Sequence, residues 1–502
     1  MRDAYKMEAS VTVPLCIALP VLAVLILALL ESARFYGLKS DAKEWANLAA
    51  ESLFAGYHAG LLEERQLFLY DGGFGGNALK IESVEEELEA FFTDNFYGYE
   101  NVCGVNLYRM NGFDAKCVGY RLITDENGKV FEVQAANSMK QKLGKRAAEK
   151  ILKGIQNLTD KQEQTVNTDV YIADAQNAIE DLVRQQEQEK DAVSADVAKQ
   201  TDQMPQKPQA VSENPMETIK EIKKQGILGM VFPSGKTVSE KQVSVDNCLM
   251  KRKIAAGNFK QKEKPGWYER ILMQEFVKTN AGNAVDPDKD GALSYGMEYI
   301  LYGKGSDEEN LKKAVKELLW MREGMNFLYL QTDEAKKAEA MQAAMAIGGV
   351  SANPLIIPVI KQGILAAWAF AESVVDVKCL LAGGKTPLMK KSADWKTQLM
   401  NLGACMDLDS SKETKGLSYE NYLDALLYKK TVKQIAYRSM DLMEWHMQNE
   451  EKYSNCVLDC MIAGIQIKAV FQTDTLFSGI LGKDTFGGWR FIEQAEYVYG
   501  KK

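Results

Sequence analysis

The sharpest chemical pattern in the chain is "DPDKDGALSYGME", Asp286 to Glu298. Asp286, Asp288, Asp290 and Gly291 fall at positions 1, 3, 5 and 6 of a calcium loop, and Ser294 falls at position 9. Calcium needs such clustered hard oxygens, and the glycine allows the sharp turn. Position 12 of the pattern is Met297. Glu298 comes one residue late, which turns its carboxylate by about 100° on a helix. Two readings stand side by side. Asp286, Asp288, Asp290, Ser294 and Glu298 are a candidate calcium set, or the stretch is an acidic turn before a helix capped by Ser294. A second "LSY", Leu417 to Tyr419, follows Asp407 and Asp409 and reads as reused capping chemistry.

Other catalytic chemistry is thinly represented. The only histidines are His58 and His446, which argues against a histidine-based triad or a histidine-rich metal site and leaves carboxylate chemistry open. No G-x-S-x-G, H-E-x-x-H or Walker pattern occurs. The glycines of "DGGFGGN" (Asp71 to Asn77) lack the flanking elements and the Lys-Ser/Thr of a phosphate cradle, so they read as a loop. Glu372, Asp376, Arg438 and Asp441 lie in apolar helical contexts and read as buried pairs that orient helices. Eight cysteines contain no C-x-x-C pair. Cys456 and Cys460 are spaced as two buried thiols on a helix, and Cys103 and Cys117 could face each other on neighbouring strands. The expectation is a non-enzymatic protein with no cofactor apart from possible calcium.

Charge and composition narrow the partners. The 502 residues carry a net charge of −8 and are 46% apolar. No basic stripe marks a nucleic-acid surface, so no nucleic-acid partner is expected.

The elements that position these residues begin with a membrane segment. Ala9 to Leu30 contains no charge, and a bilayer-crossing helix needs about 20 apolar residues. A secretory core is shorter, about 7–15 residues, and ends at a small-residue cleavage site. Here the flank is Leu30-Glu31-Ser32-Ala33-Arg34, which favours a retained anchor. Pro14 suits the first helical turn, and Pro20 predicts a kink. Arg2 and Lys6 precede the span while Arg34, Lys39 and Lys43 follow it, so charge alone does not orient it. The very short leading flank favours a cytoplasmic N-terminus and an extracytoplasmic remainder. Leu38, Ala42, Trp45, Ala49 and Leu53 continue the helical period, which predicts one helix from about Val13 to about Arg65, roughly 80 Å long.

Beyond it, "SVEEELEAFFTDNF" reads as a helix, and "VCGVNLY", "KCVGYRLIT" and "KVFEVQA" read as strands. Asp125-Glu126-Asn127-Gly128 reads as a type I′ hairpin turn. From Met139 to about Gln188 the pattern is polar and helical, and it then dissolves into a Gln-, Lys- and Pro-containing linker. Ser306 or Asp307 caps a helix, another covers about 333–347, and further helices are predicted near 355–381, 417–430, 431–450 and 451–472. Ala343 to Ala371 is apolar, but Lys361, Gln362, Pro354 and Pro358 interrupt it. It reads as a core helix holding Trp368 and Phe370. The expected segments are a cytoplasmic 1–10, a transmembrane helix 11–31, and a long helix with a small mixed domain over 32–157. A polar helix and linker over 158–212 and a mostly helical domain over 213–502 complete the chain.

"ASVTVPLCIALPVLAVLILALLESAR" followed by "AESLFAGYHAGLLEERQLFLYDGGFGG" resembles the N-terminus of TadE/TadG-like proteins, pseudopilin-related components of tight-adherence (type IVc) pilus systems. More closely, the chain is similar to a large uncharacterised TadE/TadG-like membrane family of monoderm bacteria. The motifs "NPMETIKEIKKQGILGMVFP", "VSEK", "LSYGMEYILYGKGSDEENL", "AAWAFAESVVDVKCLLAGGK", "LSYENYLDALLYKK" and "RSMDLMEWHMQ" carry that similarity. One departure stands out. Pilin precursors hold a glutamate inside the apolar run, whereas here Glu8 lies at its edge and Val13 and Pro14 take the equivalent place.

The resemblance implies an α+β protein: a transmembrane helix continuing into a pilin-like long helix, a small antiparallel sheet domain, then a larger mostly α-helical domain. It also implies a minor pseudopilin-like or scaffold component, partnered by the bilayer and by other membrane proteins of a pilus or secretion apparatus. A stand-alone anchored binding protein or adhesin, calcium-stabilised, is the alternative. A membrane-tethered hydrolase would need two carboxyls about 5–10 Å apart in a cleft.

Overall fold

A computed structural model describes residues 12–96, 107–110, 112–194, 214–233, 235–259, 262–348, 355–408, 414–477 and 488–500. The fold is mixed, with one long apolar N-terminal helix, small antiparallel sheets and a larger helical region. The chain forms two compact units, 1–138 with 253–264 and 447–502, and 139–252 with 265–446.

In the first unit, α1 (Thr12–Ala55) runs unbroken for 44 residues, about 66 Å. Pro20 lies inside it without ending it. The helix stops at Ala55 rather than near Arg65. Gly56 donates its N–H back to Leu53 O, and Tyr57 bridges to Tyr70. His58 then caps the separate helix α2 (Ala59–Arg65), its Nδ1 accepting the Leu61 N–H at 3.2 Å.

Strand β1 (Tyr70–Asp71) leads into the glycine loop, where the Asp71 carboxylate accepts the N–H groups of Gly73 and Gly75. Helix α3 (Ile81–Phe96) and strand β2 (Gly112–Leu122) follow. The "VCGVNLY" strand expected here lies mostly outside the described residues. The hairpin expected next does not form. Glu126, Asn127 and Gly128 do take positive φ, as the Asn-Gly pair requires, but the chain continues into α4 (Asp125–Met139) instead of a returning strand. The acids of this turn are occupied by a distant segment: Asp125 accepts the Gly257 N–H at 2.9 Å and Glu126 accepts the Glu263 N–H.

The partner of β2 is β3 (Met461–Thr473), some 340 positions later, where a helix was expected. Cys456 and Cys460 therefore precede a strand and are not helical neighbours, although both are buried. Strand β4 (Trp489–Val498) pairs with the other edge of β3, as does β1. All pairings are antiparallel, and β3 is central. Ile465, Ile467, Ala469 and Phe471 of β3 pack with Leu38, Ala42, Ala46, Ala49 and Phe54 of α1 and with Leu88 and Phe92 of α3. The alanines let the helix backbone lie close to the sheet, so the long helix and the sheet share one core.

The second unit is helical. It begins with α5 (Lys145–Glu163), α6 (Thr168–Ser194), α7 (Pro215–Lys224) and α8 (Ile227–Val231). The predicted boundary at 157 falls inside α5, α5 and α6 make up the polar helical stretch expected over 139–188, and the linker residues 195–213 lie outside the described residues. Next come α9 (Trp267–Asn280), α10 (Gly296–Tyr302), α11 (Asp307–Thr332), α12 (Glu334–Gly348) and α13 (Ile356–Leu381). The set closes with α14 (Tyr419–Lys429) and α15 (Val432–Met447). Helix α13 is buried from Gly363 to Leu381 and packs on α6, α11 and α12, which makes it the core helix expected from its interruptions.

Candidate functional site

The Asp286–Glu298 loop joins α9 to α10. Asp288 Oδ1 accepts the N–H groups of Asp290 (3.0 Å) and Gly291 (2.9 Å), which shapes the turn. A cation does sit on the loop, and it belongs to the chain. Lys241 Nζ donates to the carbonyl oxygens of Lys289 and Gly291 at 2.8 Å each and approaches Asp288 O at 3.4 Å. Glu298 turns elsewhere. Its Oε1 accepts the Ala284 N–H (2.9 Å) and the Tyr419 hydroxyl (2.7 Å). Among the described residues no group of three or more His, Cys, Asp or Glu side chains is gathered for a metal.

Ser294 does not cap α10. Its N–H and that of Tyr295 donate to the buried carboxylate of Asp307, at 2.9 and 3.0 Å. Asp307 also accepts the Ser239 hydroxyl at 2.6 Å. Ser306 caps α11 by accepting the Glu309 N–H. The second "LSY" is capping chemistry, with the Ser418 N–H and hydroxyl both bonded to Asn421 Oδ1. Lys241, Asp307 and Tyr419 are the partners that sequence reasoning missed. Only the capping position of Asp307 offered a signal; the others come from remote stretches.

Burial pushes the Glu298 carboxyl up to about 7, against the hydrogen bonds from Tyr419 and Ala284, which favour its charged form. Among the described residues its Oε2 has no hydrogen-bond partner. The site can therefore hold a neutral carboxylic acid near neutrality, while the lysine binds the carbonyl oxygens of the loop.

The acids on α13 are paired as expected. Asp376 Oδ2 accepts both Arg322 Nη2 (2.9 Å) and Asn326 Nδ2 (3.0 Å), and Asp376 Oδ1 lies 2.7 Å from Lys390 Nζ. Glu372 receives Lys390 and the backbone and hydroxyl of Thr397. Arg322 also donates to the carbonyls of Pro387 and Leu388. Burial opposes the charge of Asp376, but Lys390 and Arg322 hold its pKa below the ordinary carboxylate value. Two buried cations thus meet two buried anions. Asp441 accepts the Leu249 N–H and the Tyr299 hydroxyl, and Arg438 donates to Ile300 O and Leu301 O at the end of α10. Both tie segments together, but among the described residues neither forms an ion pair, so the pairing expected of Glu372 and Asp376 is found and that expected of Arg438 and Asp441 is not.

The remaining chemistry lies in α1. Leu15, Leu19 and Leu22 are about 60% exposed in the described molecule, and this is the only described helix long and apolar enough to cross a membrane. The all-round exposure of the helix ends at Glu31, its first buried residue among those described. Glu31 accepts the N–H groups of Leu476 and Phe477 and the Trp489 indole N–H. Arg34 donates to Asp474 O and Thr473 Oγ1 and pairs with Glu31 at 3.0 Å. This pair clasps the sheet ends where the apolar half of the helix begins. Of the proposed cysteine pair, Cys103 lies outside the described residues; Cys117 sits on β2, where burial raises its thiol to about 11.

Residues 205–473 match the model of a family of unknown function, DUF5702. The chain belongs to that family. The DUF5702 match takes in the Asp286–Glu298 loop, the Arg322–Asp376 cluster and the central strand β3, while α1, β2 and β4 lie outside it. No curated protein and no solved structure matches the chain.

Proposed function

We propose that this DUF5702 protein is a non-enzymatic, single-pass membrane protein with a cytoplasmic N-terminus and a large extracytoplasmic part. It acts as a minor pseudopilin-like or scaffold component of a tight-adherence-type pilus or secretion apparatus. One observation carries this reading: α1 passes without a break from an exposed, apolar half into a half that packs on an antiparallel sheet. Such a helix partitions into lipid at one end and presents a folded head at the other. The sequence resemblance to TadE/TadG-like proteins supports it. The partners are the bilayer and other membrane proteins of the apparatus, met through the stem.

The test is protease shaving of intact protoplasts with an epitope at the C-terminus, combined with a photo-crosslinker at Leu22. Loss of the epitope and adducts with apparatus subunits are expected. A protected epitope reverses the orientation, and a crosslinker that captures lipid alone removes the pilus assignment. A second reading, a stand-alone anchored binding protein, draws support from an aromatic cleft at the far end of α1.

A further inference from the structure

The cleft has a volume of about 450 Å3 and lies entirely within the first unit. That size falls in the usual range of small-ligand sites, about 300–1,000 Å3. Its walls come from the C-terminal end of α1, the turn around α2, the end of α4 and the last strand. The aromatic rings lining it touch in sequence, edge to face at Tyr57–Phe68 and Tyr497–Tyr499 and tilted at Phe68–Tyr499. Tyr57 and Phe68 have ring centres 5.9 Å apart, Phe68 and Tyr499 5.7 Å, and Tyr499 and Tyr497 5.6 Å. The inner end of this series is fixed. Tyr499 is buried, its hydroxyl donates to Phe54 O, and Gln134 donates to its carbonyl at 3.2 Å. The outer end is open, with Tyr57 41% and Phe68 45% exposed.

The polar lining is equally specific. Gln66 and Glu51 line the cleft and face solvent. Gln66 stands in the left-handed region, φ 57°, at the C-terminal cap of α2. Glycine is the usual occupant of such a cap, because a side chain is strained there. The glutamine places a side-chain amide, both donor and acceptor, in the lining of the cleft. Among the described residues lining the cleft there is no lysine or arginine, and Glu51 adds negative charge. Phosphates and acidic ligands are therefore poor occupants.

We propose that this cleft binds a neutral glycan, a short run of pyranose rings. A pyranose has one face of slightly positive C–H groups, which suits the negative face of an aromatic ring. Its rim of hydroxyls needs donors and acceptors, which Gln66 and Glu51 supply. The two exposed rings, Tyr57 and Phe68, with polar groups in the same lining match that ligand better than a purely apolar one.

The place of the cleft adds a reach. From Leu30 to Ala55 is 55 − 30 = 25 residues, about 38 Å of helix. With the apolar half of α1 in the bilayer, the cleft is carried that far along the helix from its exit, toward cell-envelope glycan. This reach rests on the extracytoplasmic placement proposed above; the binding itself does not.

The experiment uses the full chain in detergent micelles, titrated calorimetrically with an N-acetylglucosamine tetramer and, separately, a glucose tetramer. Saturation-transfer NMR reports which sugar protons touch protein. Saturable binding of at least one tetramer is expected, with transfer to the ring C–H protons. Tyr57→Ala combined with Phe68→Ala weakens it by about tenfold or more, because both exposed rings are lost. Phe68→Trp keeps it. Gln66→Gly, which suits the backbone there, weakens binding without lowering the melting temperature. The proposal fails if neither tetramer binds the folded protein saturably, or if the Tyr57/Phe68 double variant, folded by circular dichroism, binds as well as the parent. A shaving experiment that places the unit in the cytoplasm would remove the envelope glycan as source and leave this binding result standing.

Discussion

Tyr419 donates its hydroxyl hydrogen to Oε1 of Glu298 at 2.7 Å, joining two positions 121 residues apart in sequence. The two "LSY" stretches thus meet through chemistry neither shows alone. One supplies a buried acid, and the other the phenol that holds it.

That acid makes stability depend on pH. Burial raises the folded pKa of Glu298 from an ordinary 4.5 to about 7. A raised carboxyl favours the folded state below the unfolded value, and the advantage is lost as pH climbs through the folded value. The protein should be more stable near pH 5 than near pH 8, with Glu298 contributing up to about 3 kcal/mol of the difference. Glu323, raised to about 7 mainly by burial, acts in the same direction. Urea midpoints measured across that range should fall with pH, and Glu298→Gln should flatten the slope. An unchanged slope in the variant would remove Glu298 as its source.

Lys241 should be the resident cation of the Asp286–Asp290 turn. Lys241→Met leaves three carbonyls without their donor and should cost about 1–3 kcal/mol. Hydrogen exchange at the Asp290 and Gly291 amides should quicken. With Lys241 present, adding about 1 mM calcium, within the range of extracellular modules, should leave the melting temperature unchanged. A rise reversed by chelator would establish the calcium reading of Asp286, Asp288, Asp290, Ser294 and Glu298.

The α13 cluster should behave as a balanced set. Arg322→Met leaves Asp376 short of one buried counter-charge and should destabilise by about 3–5 kcal/mol. Pairing it with Asp376→Leu should recover part of that loss, because the uncompensated charge goes with it. Chemical denaturation of the two variants compares them directly, and additive losses would contradict the pairing.

The stem should depend on apolarity alone in its outer half. Leu22→Arg puts a charge at the middle of the run and should weaken insertion by about 2.5–3.5 kcal/mol. Membrane fractionation should show protein moving to the soluble or degraded pool. Leu22→Ile should fractionate as the parent.

Much of the first unit was legible because its signals are local. The uncharged run from Ala9, the period through Leu38 and Leu53, and the Asn127-Gly128 turn each act within a few residues. The pairing of Glu372 and Asp376 could be expected from their apolar settings, since a buried charge needs a counter-charge. Which partners answered could not. Met461–Thr473 was misread as helix although Ile465 to Lys468 alternates at the strand period, because the continuous apolar run Met461–Ile465 before it carries no period of its own. The turn at Asp125 was right in its backbone and wrong in its consequence, since Gly257 and Glu263 capture its acids from 130 or more positions away. Loop chemistry followed the same rule: the aspartates could be read in order, but the lysine that binds the carbonyls of their loop arrives from elsewhere.

The chain alone determined that one end is lipid-compatible and that a long helix follows. Hydrophobicity and helical period are properties of consecutive residues, so no folding is needed to read them. Only the tertiary structure decided that the last strands complete the sheet beneath that helix, that Lys241 and Tyr419 complete the acidic loop, and that Tyr57, Phe68 and Tyr499 share one cleft. Those are contacts between distant segments, chosen by burial and charge compensation in three dimensions.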